Sequence, residues 1–330
     1  MDLTTFQKVA LFGANGQIGN PILHALMGCK EQTFHVLAFI SPRSKLKFYG
    51  DTRNITVHQV DLARKTAEDL SPLLQGVHVA VSALGGSLLP IQGVIQNAAA
   101  LAGVKRFYPS EFGMHQIMRL PGNAVGIIHP TWDLKMRCLE DAIKHPAVCD
   151  GRMTYTVIGC GEHLDAPLEP KLCPWLDAEA AEYTIQAVGD VKAKIDYNSL
   201  HDVAAFLVAS ICQPEVSENR IFGFRSDYIS HEEIANLLRK HSGKKVTLNV
   251  ISPQEAADMI QHPTSVSDEL KGGSMFPVDF WLSLRLAQGQ GRFWRPPGQL
   301  HNHLFPHVQT LSFDAFFSAL FKARFATEST

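Results

Sequence analysis

Short apolar runs alternate with longer mixed segments along the first 160 residues. Lys8–Phe12, Val36–Ile40, Ile55–Val60, Val77–Ser82, Arg106–Pro109 and Met153–Ile158 have the length and composition of strands. Between them, the segments from about Asn20 to Met27, Ile91–Gly103 and Thr131–Lys144 read as helices, the second closed by Ala102-Gly103. Alternating strands and helices predict an α/β fold, a doubly wound parallel sheet of the Rossmann kind.

The pattern changes after residue 160. Prolines and aromatics become frequent, as in Pro174-Trp175, Phe276-Pro277, Phe280-Trp281 and Phe293-Trp294-Arg295-Pro296-Pro297. Two pieces keep a clear period. Ile195–Ala209 predicts a strand and a helix, with Asp202 opening the helix. Ser230–His241 predicts a helix capped by Ser230, with Glu233 at the capping-box position. The expected division is a dinucleotide-binding domain over 1–158, to whose sheet 190–225 returns, and a smaller, less regular substrate-binding region over 159–330. Ligands in such folds bind at the carboxyl ends of the strands.

Composition narrows the function classes. The 330 residues are 45% hydrophobic and 19% charged, as in a soluble globular protein. A net charge of −2 with no basic block argues against nucleic acid or anionic membrane as partner. No apolar run reaches membrane-span length, and Met1-Asp2-Leu3-Thr4-Thr5 lacks signal-peptide features. Cys29, Cys138, Cys149, Cys160, Cys173 and Cys212 form no C-x-x-C pair, which suits reduced thiols in a cytoplasmic protein; separately, a monomer or homodimer is expected.

The strongest chemical signal is Gly13-Ala14-Asn15-Gly16-Gln17-Ile18-Gly19, between the first strand and the first helix. Such a loop lets backbone N–H groups approach a pyrophosphate, and the helix points its positive end at the same charge. Asn15, Gln17, Ile18 and the three glycines are therefore cofactor candidates. So are Ser82 and Ala83, at the end of the fourth strand. The second strand ends in Ser41-Pro42-Arg43-Ser44-Lys45-Leu46-Lys47, with no acid to bind the ribose hydroxyls of NAD. Its arginine and lysines suit a 2′-phosphate, so NADP is the expected cofactor, held by Arg43 with Lys47 or Lys45. The fifth strand ends in Lys105-Arg106-Phe107-Tyr108-Pro109-Ser110-Glu111-Phe112-Gly113, at the sheet edge where active-site residues gather.

These features together resemble the isoflavone-reductase-like proteins, a branch of the NmrA-like, atypical short-chain dehydrogenases/reductases. The likeness continues through Thr154-Tyr155-Thr156-Val157-Ile158, Asp202-Val203-Ala204, Asn219-Arg220 and Leu304-Phe305-Pro306. It implies that a lysine on the helix after the fifth strand assists catalysis. The best match is Lys135; an ungapped alignment would put Asp133 there. Ser110, Glu111 and Phe112 are then expected to wall the cofactor. Residues after the sixth strand are expected to face nicotinamide and substrate, which makes Gly161, Glu162 and His163 candidates. Met114, Trp132, Phe276, Phe280 and Trp281 are expected around the pocket.

No tyrosine is followed by lysine four residues later, so the Tyr-x-x-x-Lys pair of ordinary short-chain dehydrogenases is absent. Thr131 holds the equivalent position, but an aliphatic hydroxyl is a poor acid. Lys135, His163, Glu162 and water remain as proton donors. His301-x-His303-x-x-x-His307 resembles a metal-ligand spacing but has no nearby Cys or Asp, and no metal is expected. The segment from Gly113 to Pro130 reads as a loop able to close over the site. The resulting expectation is an NADPH-dependent reductase of a small apolar or aromatic secondary metabolite. It would act on a C=C, C=N, C=O or benzylic carbon. Two alternatives stay open: an NADP-binding regulator without turnover, and a redox-neutral isomerase or cyclase with Glu162 or His163 as acid/base.

Overall fold

The sheet at the centre of the first half is built from strands too apolar to face water. Of the computed structural model, residues 5–114, 129–177 and 179–327 are described. In chain order the first half contains β1 (Lys8–Phe12), α1 (Gly19–Met27), β2 (His35–Ile40), β3 (Ile55–Gln59), α2 (Ala67–Leu70) and β4 (Val79–Ser82). It continues with α3 (Gln92–Leu101), β5 (Arg106–Tyr108), α4 (Pro130–Ile143), α5 (Pro146–Cys149) and β6 (Thr154–Gly159). The second half adds β7 (Glu162–His163), β8 (Glu182–Val188), β9 (Ile195–Asn198), α6 (Leu200–Cys212), α7 (Pro214–Ser217), β10 (Arg220–Gly223) and β11 (Asp227–Ile229). It ends with α8 (His231–Ser242), β12 (Lys245–Ile251), α9 (Pro253–Gln261), α10 (Asp268–Lys271), α11 (Val278–Gly289) and α12 (Phe313–Thr327).

Seven strands pair in parallel in the order β10-β6-β5-β4-β1-β2-β3. Helices cover both faces. Ile22, Leu23 and Leu26 of α1 join Val203, Phe206 and Leu207 of α6 on one side, with Ile95, Ala98 and Ala99 of α3 on the other. This is the doubly wound α/β fold. Every strand expected in the first 160 residues forms, with ends shifted by no more than two residues.

The second half departs further from expectation. β10 returns to the large sheet beside β6, but β9 does not. It joins β7 and β11 in a small three-stranded sheet. β8 and β12 form a separate parallel pair. Tyr183, Ile185 and Ala187 alternate inward along β8, which gives that pair one wet and one buried face. Ser199, not Asp202, caps α6, accepting from the N–H groups of His201 and Asp202. α8 has the expected capping box between Ser230 and Glu233. Among the described residues, no helix is long and apolar enough to cross a membrane.

Candidate functional site

The glycine loop leaves β1 in a conformation that side chains resist. Gly13 has φ +84°, and a methyl group on it would lie 2.8 Å from the Ala83 carbonyl oxygen. Gly19 is required by space, because its methyl group would lie 2.1 Å from the Gly13 oxygen. α1 opens at Ile18 with no side-chain cap and no acid in its first turn, which leaves N–H groups for an anion.

Asn15 ties this loop to the basic turn. Its Nδ2 donates to the Lys45 carbonyl and its Oδ1 accepts from the Lys47 N–H, both at 2.8 Å. The Asn15 amide thus braces the turn instead of pointing at a phosphate. Arg43, Lys45 and Lys47 stand exposed on that turn. At the end of β4 the buried Ser82 hydroxyl has no hydrogen-bond partner among the described residues. An unpaired hydroxyl, an uncapped helix start and a braced basic turn, gathered around one loop, fit a phosphorylated dinucleotide.

The turn after β5 is fixed from several sides. The Ser110 N–H donates to Gln92 Oε1 at 2.7 Å and its hydroxyl donates to the Leu84 carbonyl. Phe112 has φ +41°, a strained value for a residue with a side chain. Its N–H donates to Ile158, and the Gly113 carbonyl accepts from Cys160, both at 3.0 Å. Lys135 reaches this turn from α4. Its Nζ donates to the Ser110 carbonyl at 2.5 Å and the Glu111 carbonyl at 3.1 Å. Desolvation lowers its pKa, opposed by the Glu111 carboxylate. Asp133 is instead ion-paired with Arg137 one turn further on, so Lys135, not Asp133, reaches the turn after β5. Among the described residues, no tyrosine hydroxyl is hydrogen-bonded to Lys135.

The segment after β6 separates the remaining candidates. Gly161 is a packing position: a methyl group there would lie 2.0 Å from the Asp196 oxygen, and its N–H donates to Asn198. Glu162 and His163 point to opposite sides, as neighbours on a strand do. Glu162 is buried, accepting from Arg285 Nη1 at 3.2 Å and from Gln288. The same Nη1 meets His231 Nε2 at 3.0 Å. This network ties β7 to α8 and α11, and the Glu162 carboxylate, expected as an acid or as a site for a cation, is held within it. His163 stays partly exposed, with Nε2 3.6 Å from the buried Cys160 sulfur. Burial pushes the Cys160 thiol up to about 12.

The aromatic expectations also divide. Trp281 is fully buried, and Met114 and Trp132 lie with it in the core of the second half. Phe276 is partly exposed and stacks on Phe280 at 4.3 Å, which in turn meets Trp132 at 5.2 Å.

One side of the glycine loop is bordered by segments that no sequence motif marks. The Leu168 N–H donates to Gln17 Oε1 at 3.1 Å, and the Lys171 N–H to the Gly273 carbonyl at 2.7 Å. These bonds bring two loops of the second half beside the glycine loop, with Leu168, Met275 and Phe276 exposed on them. Neither loop carries a periodic pattern that could have shown this.

His301 Nδ1 accepts from the Gly223 N–H, and His307 lies 3.4 Å from Glu31. No group of three metal-ligating side chains occurs among the described residues. Residues 115–128, and with them most of the expected loop from Gly113 to Pro130, lie outside those described. A separate groove of about 500 Å³ lies between Tyr228, Leu237 and Ser312. Its charges are paired as Lys194 with Glu233 and Lys240 with Asp314.

Comparison with known proteins places this geometry among relatives. Residues 5–278 match the NmrA-like family. Isoeugenol synthase 1 of Clarkia breweri is 26% identical over 247 residues, spanning 72% of this chain and 73% of its own. A solved isoflavone reductase superposes with a TM-score of 0.71 at 21% identity, over 96% of this chain and 99% of that one. The NADPH complex of leucoanthocyanidin reductase from Vitis vinifera gives 0.70 at 18% identity, over 95% and 99%.

Proposed function

We propose, from the premise that this chain belongs to the NmrA-like family, that it is an NADPH-dependent reductase of a small apolar or aromatic molecule. The observation that carries the reading is the Asn15 brace, which sets the basic turn beside the glycine loop. The loop N–H groups would hold the pyrophosphate, Arg43 and Lys47 the 2′-phosphate, and Ser82 would meet the cofactor at the end of β4. NADPH bound there supplies a hydride at the carboxyl ends of the strands. Lys135 holds the turn after β5 in place, and its ammonium offers a positive charge next to the substrate oxygen. His163, partly exposed on β7, is the residue that would exchange a proton with the substrate. Leu168, Met275 and Phe276 give the entrance its preference for apolar rings. Relatives named as isoeugenol synthase and isoflavone reductase support that substrate class.

A second reading, an NADP-binding regulator without turnover, draws on the missing tyrosine and on the occupied Lys135 donors. The redox-neutral reading loses Glu162, one of its two proposed acid/bases, to the Arg285 network.

Titration of NADPH and NADH, followed by fluorescence, tests the cofactor. Arg43→Ala is expected to weaken NADPH about tenfold or more and leave NADH nearly unchanged. Equal loss for both nucleotides would put the 2′-phosphate elsewhere. NADPH oxidation with any electrophilic aromatic substrate then decides between reductase and regulator.

A further inference from the structure

Arg295 follows the Phe293-Trp294 pair, outside the segments that hold the cofactor loop and Lys135. Its backbone N–H donates to the buried Asp196 carboxylate at 2.7 Å, which fixes the start of its side chain. The side chain then crosses the ends of β6 and β10, where Gly159 and Gly223 stand opposite each other in register. A methyl group on Gly159 would lie 2.8 Å from Arg295 Nη2, and one on Gly223 2.6 Å from its Cδ. Both glycines have ordinary backbone, and the arginine shares this narrow passage with main-chain oxygens: the same methyl group on Gly223 would lie 2.5 Å from the Gln299 oxygen, and that on Gly159 2.9 Å from the Phe222 oxygen. The side chain ends at the strained turn after β5, where Nη2 donates to the Gly113 carbonyl at 2.7 Å.

Nη1 of the same fork is buried and has no hydrogen-bond partner among the described residues. Arg295 as a whole is only 8% exposed. Arg285, equally enclosed, has the Glu162 carboxylate facing its fork. Among the described residues, no carboxylate is hydrogen-bonded to the Arg295 guanidinium. Buried polar groups are normally paired, and a guanidinium arm left open is a donor kept for something else. Glu111 and Cys160 are near neighbours of both Arg295 and Lys135, so two cations converge on one turn.

We propose that Arg295 is a substrate-binding residue whose open Nη1–H takes a phenolate or enolate oxygen of an aromatic ligand held beside Lys135. The proposal rests on the reading of this site as a pocket for a small aromatic molecule. A planar fork fixed by Gly113 at one nitrogen presents the other in a set direction, which selects ligands carrying an acidic oxygen over their methyl ethers.

The probe is 4-nitrophenol, whose absorbance separates phenol from phenolate. It is titrated into wild type, Arg295→Lys and Arg295→Met, with and without NADP⁺, at a pH where the free probe is neutral. Wild type is expected to bind it as phenolate. Arg295→Met is expected to bind it at least about tenfold more weakly and as the phenol, with Arg295→Lys between the two. Circular dichroism and melting temperature check each fold. Should Arg295→Met not fold, the lysine variant alone decides, because a lysine cannot reproduce the fork. Equal affinity and equal phenolate fraction in wild type and the folded variants overturn the proposal. So does failure of wild type to bind the probe. NADP⁺ binding with a probe indifferent to residue 295 removes this site and leaves the cofactor reading intact. A phenolate that depends on Arg295 in a protein that ignores NADP⁺ does the reverse.

Discussion

At position 19 a side chain is excluded by distance alone. A methyl group there would meet the Gly13 carbonyl oxygen at 2.1 Å, backbone against backbone, with no flexible atom to give way. Gly19→Ala is expected to cost about 1–3 kcal/mol of stability as the loop moves. It should also weaken NADPH binding, because the pyrophosphate N–H groups move with the loop. Thermal melting and a fluorescence titration read the two effects, and an unchanged NADPH affinity would remove this loop from the binding site. Such glycines were legible because their need is local and leaves the residue type itself as a trace. The roles of Glu162 and Trp281 were not. Which way Glu162 points depends on Arg285, 123 residues later. Whether Trp281 is core or wall depends on what packs over it, and an indole suits both.

Among the elements, β1 to β6 could be read because each is a short apolar run set between turns and helices. β7 and β11, with two and three residues, are too short to show any period. β8 and β12 alternate well enough, but their pairing joins Glu182 to Lys245 across a long stretch of chain, and no local signal announces it. The start of α8 carries a measurable consequence. His231 is buried there and meets the Arg285 guanidinium, and desolvation holds its pKa well below the ordinary value of 6.5. The folded protein therefore keeps it neutral where the unfolded chain binds a proton. Stability from this difference is complete above about pH 6.5 and is lost as pH falls below it, by about 1.4 kcal/mol per pH unit for one proton. His58, His78, His145 and His301 are shifted in the same direction and add to the slope. His231→Gln is expected to make urea unfolding less steep in pH by about one proton. A variant with the wild-type slope would rule His231 out as its source.

In the whole molecule the two halves are interleaved. The core of the first half is completed by α6, by β10 and by Phe305 near the end of the chain. Phe305 is fully buried, with its ring 5.5 Å from Phe222 and 5.8 Å from Phe224. Phe305→Ala is expected to destabilise the protein by about 3–5 kcal/mol. The loss should appear as a lower melting temperature in the NADPH-bound state as well as in the free one. An effect confined to substrate affinity would contradict that placement.

The late arrival of Phe305 also matters during synthesis. β6 emerges from the ribosome well before β10, its partner on that side, and Phe305 follows roughly 150 residues after β6. At cellular rates of about 5–20 residues per second, that strand waits several seconds for β10 and longer for Phe305. Through that interval its unpaired edge is open to strands of other nascent chains. Expression yield would then depend on how quickly the second half is made, even for variants whose finished structure is unchanged.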